Sequence, residues 1–486
     1  MKSNIKYFIK HTLIYGISNI AQKASGVILV PLYTKYLSTS EYGQLGMLII
    51  SVTIISQALV LGQGQSILRY SNIEEYKDRR GDVFFTLASV IMMLALLLVI
   101  VGKSLLTTFA DLFHDSSTFY NYLNISIYLA AFMLLNSFLM NKIRADEKSG
   151  LYTVSGVAKI IAIVAATIYL VPFKKMGVAG VLYSNLIGEV VGVVIITPYL
   201  LRLLTFRFDK NILVESLKFG FPLFFSALAM NLLTWSDRYV LKVLTNYAAI
   251  GLYELAYKVA GILNMFLIVP FSLTLLPIAY KFYKTEGDKL FYSKILTYFT
   301  FILCWAGLAL SLFGNEIIHI FALDPSYYPA HQTVPVLTLA YVIFGVSLVT
   351  TLGLYLTGKT ISVAVITIFT VGLNIGLNFL LIPYWGIMAA AVNTLIAYII
   401  LVILTTMVSN KHYRIPYEYL RISKMIAIAV VLFLPAIFLL QMNLLINIFV
   451  KLLLIILYPL CLYLIKGIKK AEVLELQSML NKYKPW

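Results

Sequence analysis

Residues 37–48 read LSTSEYGQLGML, and residues 244–255 read LTNYAAIGLYEL. Each stretch lies between two long apolar runs. Ser38 to Glu41 has the S-x-x-E spacing of a capping box, which predicts a helix start: the serine hydroxyl accepts from a free backbone N–H while the glutamate reaches back to the cap. In the second stretch Asn246 and Ala249 stand opposite Ser38 and Glu41, so the cap itself is not expected to repeat. What repeats is the glycine, Gly43 and Gly251, and the apolar helix after it. A second pair lies further along. YLVPFKKMGVAGVLYSNLI (169–187) resembles LLIPYWGIMAAAVNTLI (380–396), with Pro172 opposite Pro383 and Gly177 opposite Gly386. The offsets are all close to 210 residues. Two separate motifs at nearly one offset predict a chain built twice.

Composition sets the medium. Of 486 residues, 60% are hydrophobic and 12% charged. A soluble protein of this size needs more polar surface, and apolar runs near the ~20 residues that span a bilayer recur along the whole length. The expectation is an all-α polytopic membrane protein, because lipid offers no partner to an unpaired backbone and the runs are too long for barrel strands. The first run is long enough to be kept as a span rather than removed as a signal peptide. Cys304 and Cys461 both fall in apolar runs and read as small buried hydrophobes.

Apolar runs and breakers give fourteen spans. They lie near 12–36, 42–68, 83–109, 119–140, 151–171, 177–201, 215–242, 249–280, 295–321, 333–357, 361–382, 387–408, 422–440 and 445–465. With the N-terminus placed in the cytoplasm, 28 of the 38 Lys and Arg fall in inner segments and 5 in outer loops. Positive charge collects on the cytoplasmic side, so an even number of spans with both termini inside is expected. The same rule accounts for the net charge of +17 without nucleic acid. Six spans per half make the duplication a parallel repeat, with a site expected between the halves. The expected organisation is therefore a six-helix lobe at 1–205, a second at 206–410, and two further helices with a cytoplasmic tail at 411–486. In that tail Val473, Leu476, Leu480 and Tyr483 recur at helical spacing, the pattern of a short surface amphipathic helix.

GISNIAQKASGVILVPLYTKYLSTSEYGQLGML (16–48) and WSDRYVLKVLTNYAAIGLYELAYKVAG (235–261) resemble the corresponding helices of Wzx-type polysaccharide flippases. These belong to the multidrug/oligosaccharidyl-lipid/polysaccharide exporter superfamily. The resemblance implies two six-helix lobes followed by two extra helices. It also implies translocation of an undecaprenyl-diphosphate-linked oligosaccharide across the bacterial plasma membrane, for lipopolysaccharide, capsule or other surface polysaccharide. Membrane lipids, a polysaccharide polymerase and glycosyltransferases are the partners it implies.

A diphosphate with a sugar head needs a hydrated groove offering cationic and hydrogen-bonding groups, so charges inside spans are the first candidates. Lys23 sits mid-span, with Asn19 and Gln22 on or beside its face. Asn231, Thr234 and Arg238 form a polar stripe on span 7, the repeat partner of span 1. Arg238 has the fork to grip a phosphate; the alternative is a salt bridge or interfacial anchor. Its neighbour Asp237 points about 100° away, towards another helix. Glu254 and Lys258 have the i,i+4 spacing of an ion pair within one helix; a substrate contact or a coupling role is the alternative. Glu189 reads either as a proton carrier or as the partner of Lys159. Lys159 and Lys451 are expected to snorkel. The chain carries no nucleotide-binding loop, metal cluster or nucleophilic triad pattern, so neither an enzyme nor a cofactor is expected. Two other functions compete: an ion-coupled exporter of drugs or metabolites, which predicts an acidic cavity, and a non-transporting scaffold for envelope synthesis.

Overall fold

In the computed structural model, residues 26–112, 117–436, 443–465 and 467 are described. Among them every regular element is helical. Lipid selects this outcome, since a helix satisfies its own backbone. The chain separates into two compact units, residues 1–254 with 321–327, and residues 255–320 with 328–486.

The first unit contains α1 (Val30–Tyr36), α2 (Thr39–Val60), α3 (Gln63–Tyr70), α4 (Arg80–Leu112), α5 (Ser117–Ala145), α6 (Ser149–Ile168), α7 (Gly177–Leu201), α8 (Lys210–Leu244) and the first half of α9 (Tyr247–Leu263). Its core packs Ile67, Leu87, Ile91, Leu134, Phe138 and Ile196 from α3, α4, α5 and α7. Met92, Met93, Leu96 and Ile100, on the other side of α4, are exposed. An apolar exterior of this extent is what hydrocarbon solvates and water does not. The short 321–327 segment is tied to the end of α1: the Thr34 hydroxyl donates to the Phe321 carbonyl at 2.7 Å, and the Tyr327 hydroxyl donates to the Leu37 carbonyl at 2.9 Å.

The second unit holds the rest of α9, then α10 (Val269–Phe282), α11 (Asp288–Leu312), most of α12 (Gly314–Phe321), α13 (Val334–Thr350), α14 (Leu352–Leu356), α15 (Thr360–His412), α16 (Tyr419–Phe433) and α17 (Leu444–Leu464). Its core joins Leu275, Tyr292, Leu296, Val346, Val349 and Ile422. Among the described residues ten helices are long and apolar enough to cross a membrane. The fourteen of the sequence reading are not all separate here. Span 1 is described only from residue 26, and spans 11 and 12 run together as α15, kinked at Gly386.

The two motifs that mark the repeat have matching local structure. Ser38 forms the expected capping box, accepting from the Glu41 N–H at 3.2 Å while Glu41 Oε2 accepts from the Ser38 N–H at 2.8 Å. The second start is also capped, which corrects the expectation that the cap is lost: Asn246 Oδ1 accepts from the Ala249 N–H at 2.9 Å. Asparagine keeps the accepting half of the box, and only the reciprocal glutamate is gone. Gly43 and Gly251 meet each other. A Cβ on Gly43 would stand 1.9 Å from the Tyr247 carbonyl oxygen, and one on Gly251 would stand 2.0 Å from that of Thr39. Glycine here allows two helix starts to touch backbone to backbone. In the second motif Gly177 and Gly386 have φ of +51° and +54°. Both turn the chain in the left-handed region just after a prolyl residue, which an L side chain resists.

Candidate functional site

The polar stripe predicted on span 7 is on α8, but its residues go to two places. Arg238 is buried, with a side chain 2% exposed. Its Nη1 donates to Asp237 Oδ1 at 2.9 Å and to the Thr234 carbonyl at 2.7 Å, and its Nε donates to Glu254 Oε1 at 2.8 Å. The guanidinium lies over the Tyr253 ring, 4.9 Å from its centroid, and the Tyr253 hydroxyl donates to Asp237 Oδ2. Asp237 thus reaches the next helix, as its 100° offset predicts, while also holding its own neighbour. Gly46 on α2 leaves room for the carboxylate: a Cβ there would stand 2.8 Å from Glu254 Cγ. An arginine sharing two carboxylates, a carbonyl and an aromatic face is a structural lock between α8 and α9. Of the two readings for Arg238, the salt bridge is the one observed. Glu254, expected to face Lys258, meets Arg238. Lys258 is half-buried, beyond the boundary of this unit.

Asn231, two turns earlier on α8, has a different setting. Its amide donates to Gln57 Oε1 on α2. The two line a cavity of about 200 Å³ with Gln65, Ser137 and Asn141. Four amides and a hydroxyl around one space offer donors and acceptors in fixed positions and no net charge. That is the chemistry that recognises sugar hydroxyls. Gly62 shapes the pocket. It has φ of +73° and touches Gly220 so closely that a Cβ would stand 2.0 Å from the Gly220 carbonyl oxygen. Gln57, Gln65, Ser137 and Asn141 were not singled out in the sequence. The available signal was that these amides interrupt or border apolar runs.

Glu189 is paired. Its Oε1 accepts from Lys159 Nζ on α6 at 2.6 Å, and its Oε2 accepts from Asn136 Nδ2 on α5 at 2.6 Å. The carboxylate ties three helices of the first unit. Lys159 therefore reaches a carboxylate instead of snorkelling. Lys451 departs further from that expectation: it is 1% exposed and its Nζ meets Glu316 Oε1 at 2.5 Å. An ammonium this deep is held by a counter-ion because hydrocarbon supplies no other compensation. Lys23, Asn19, Gln22 and the amphipathic pattern of residues 469–486 lie outside the described residues.

The polysaccharide biosynthesis protein family matches residues 8–283. The chain belongs to that family. No curated protein matches at a significant level. Among solved structures, the lipid II flippase MurJ in its inward closed conformation superposes with a TM-score of 0.72 at 15% identity, covering 93% of this chain and 99% of that one. A Vibrio cholerae MATE transporter superposes at 0.63 with 13% identity, covering 85% and 98%. A transporter of the same superfamily from Pyrococcus furiosus, with a binding pocket of reversed polarity, superposes at 0.62 with 14% identity, covering 85% and 96%. The fold is the one these proteins share. By family the chain is a polysaccharide biosynthesis protein, and its many long apolar helices take the fold seen in these membrane proteins.

Proposed function

We propose that this protein translocates an undecaprenyl-diphosphate-linked oligosaccharide across the bacterial plasma membrane by alternating access. The observation that carries the reading is the family match over residues 8–283. The amide cavity supports it, since Gln57, Gln65, Ser137, Asn141 and Asn231 suit a neutral, hydroxyl-rich head group. On this reading Lys23, with Asn19 and Gln22, supplies the cation for the diphosphate. Arg238, Asp237, Thr234 and Glu254 hold α8 against α9, and Lys258 stays a candidate contact. Glu189 serves in an ion pair with Lys159. Both termini are cytoplasmic, the two repeats are the moving lobes at 1–205 and 206–410, and 411–486 is appended to them. A polymerase and glycosyltransferases are the expected neighbours in the membrane.

The test is export in cells that depend on this chain. Lys23→Ala, and separately Asn231→Ala with Gln57→Ala, should reach the membrane in normal amounts, block export and cause lipid-linked oligosaccharide to accumulate on the cytoplasmic face. Normal export by stably produced variants of both kinds would overturn the assigned site. Transport of a cationic dye, abolished by Glu189→Gln, would favour the drug-exporter alternative. Export that persists with the two lobes locked by an engineered disulfide would favour the scaffold.

A further inference from the structure

The amide cavity accounts for a sugar head and leaves the hydrocarbon tail of such a substrate without a place. The first unit holds a second, larger cavity of about 910 Å³. It runs beside α2 from Gln44 to Leu59, between α2, α4 and α5. Fifteen residues of helix rise about 22 Å. Ile55, Leu97, Leu98, Val101 and Leu123 are typical of its walls. Two hydroxyls that face it are used up on each other. The Tyr239 hydroxyl lies 2.8 Å from Ser51 Oγ, and Ser51 in turn donates to the Met47 carbonyl at 2.9 Å, so the tyrosine is the donor of the pair. Gln44 and Ser126 are further polar points, and the Ser126 hydroxyl is buried without a hydrogen-bond partner; the rest of the wall is predominantly apolar.

One end is different. Lys242 lines it, half-buried, with its Nζ 3.4 Å from the centroid of the Tyr247 ring. Among the described residues no carboxylate forms an ion pair with it. A long apolar slot closed by a single cation matches a long hydrocarbon chain with an anionic head. Length selects among such lipids. One leaflet contributes about half of a hydrocarbon core of ~30 Å, so a phospholipid chain that begins at the interface ends near the midplane. A slot of about 22 Å continues past that point.

We propose that the slot holds the polyisoprenoid chain of a polyprenyl diphosphate, with the diphosphate against Lys242. The lysine distribution puts Lys242 on the outer side, so this is the site of the lipid after its head group has crossed. The inference rests on the transport reading above for that direction, and the binding itself is tested without transport.

The full chain is purified into nanodiscs with a photo-crosslinking residue placed, in separate variants, at Ile55 or Leu97 in the slot. Met93 and Ile100, exposed on the lipid-facing side of α4, serve as controls. The probes are undecaprenyl diphosphate, undecaprenol and phosphatidylglycerol. Undecaprenyl diphosphate should crosslink at Ile55 and Leu97 well above the two controls, and phosphatidylglycerol should not compete. Lys242→Ala should weaken undecaprenyl diphosphate about tenfold and leave undecaprenol unchanged. Equal labelling at all four positions, or equal competition by phosphatidylglycerol, would overturn the slot. Loss of undecaprenol to the same degree as the diphosphate would overturn the role of Lys242. A chain that labels as expected yet moves no lipid-linked oligosaccharide would refute the transport reading and leave the slot standing.

Discussion

Arg238 and Lys242 stand one helical turn apart on α8, and their surroundings are opposite. Arg238 is buried among Asp237, Glu254, Tyr253 and the Thr234 carbonyl. Lys242 lies at the end of an apolar slot, against one aromatic ring. The first cation directs its Nε and Nη1 donors at protein atoms, so it holds helices together. The second is placed where an anionic ligand can reach it. A charge inside a membrane span marks something other than packing against lipid, but only its counter-charges decide whether that is structure or function.

Substitution separates the two regions. Removing Arg238 as alanine leaves two carboxylates without their cation, which costs about 3–5 kcal/mol for a buried pair. Thermal unfolding of the detergent-solubilised protein should show a large loss for Arg238→Ala and almost none for Lys242→Ala. Comparable melting of the two variants would erase the distinction. Glu189→Gln probes a third setting of the same kind. It removes the charge that pairs Lys159 and should destabilise by about 1–3 kcal/mol, while export per folded molecule stays at the wild-type level. A collapse of export with stability intact would instead make Glu189 a coupling group.

The repeat glycines sharpen the contrast between closed and open surroundings. Gly386→Ala meets nothing within 4 Å, so its cost is that of holding an L residue at φ +54°, ψ −132°, about 1–3 kcal/mol. Gly43→Ala has no such φ cost, but its Cβ would stand 1.9 Å from the Tyr247 carbonyl oxygen and must push two backbones apart, so it should cost more. Chemical denaturation of the two variants measures the difference, and equal costs would contradict the close contact.

The smallest effect belongs to the surface. Arg79 Nη2 donates to Asp209 Oδ2 at 2.5 Å, and the Asn211 N–H also donates to that carboxylate, which together hold its pKa below the usual range. A carboxyl with a depressed pKa stabilises the fold above its unfolded pKa and loses that contribution as pH falls through the folded value. The pair is exposed, so salt should mute the effect. Melting temperature should therefore decline more steeply at acidic pH for wild type than for Asp209→Asn, and parallel profiles would exclude the pair.

Much of this architecture was legible in the sequence. The length of the apolar runs dictates helices. The offset near 210 pairs glycines that prove to share a contact, Gly43 with Gly251, or a positive φ, Gly177 with Gly386. The cap at Asn246 was missed because asparagine keeps the hydrogen bond without keeping the motif. The site was less legible, for a physical reason. Sequence spacing gives the face of a helix but not what stands opposite it. Asn231 and Arg238 share a stripe on α8, yet one meets Gln57 on α2 and the other meets Glu254 on α9. Lys451 read as a snorkelling side chain because its partner, Glu316, is distant in sequence.

The central claim is that this chain moves a lipid-linked oligosaccharide. Proteoliposomes containing the purified chain and an undecaprenyl-diphosphate-linked oligosaccharide, probed with a membrane-impermeant glycosidase outside, test it most directly. The account predicts that the protein brings the protected inner-leaflet fraction within reach of the glycosidase, and that Asn231→Ala with Gln57→Ala abolishes this. A protected fraction that stays the same with and without the protein would contradict it.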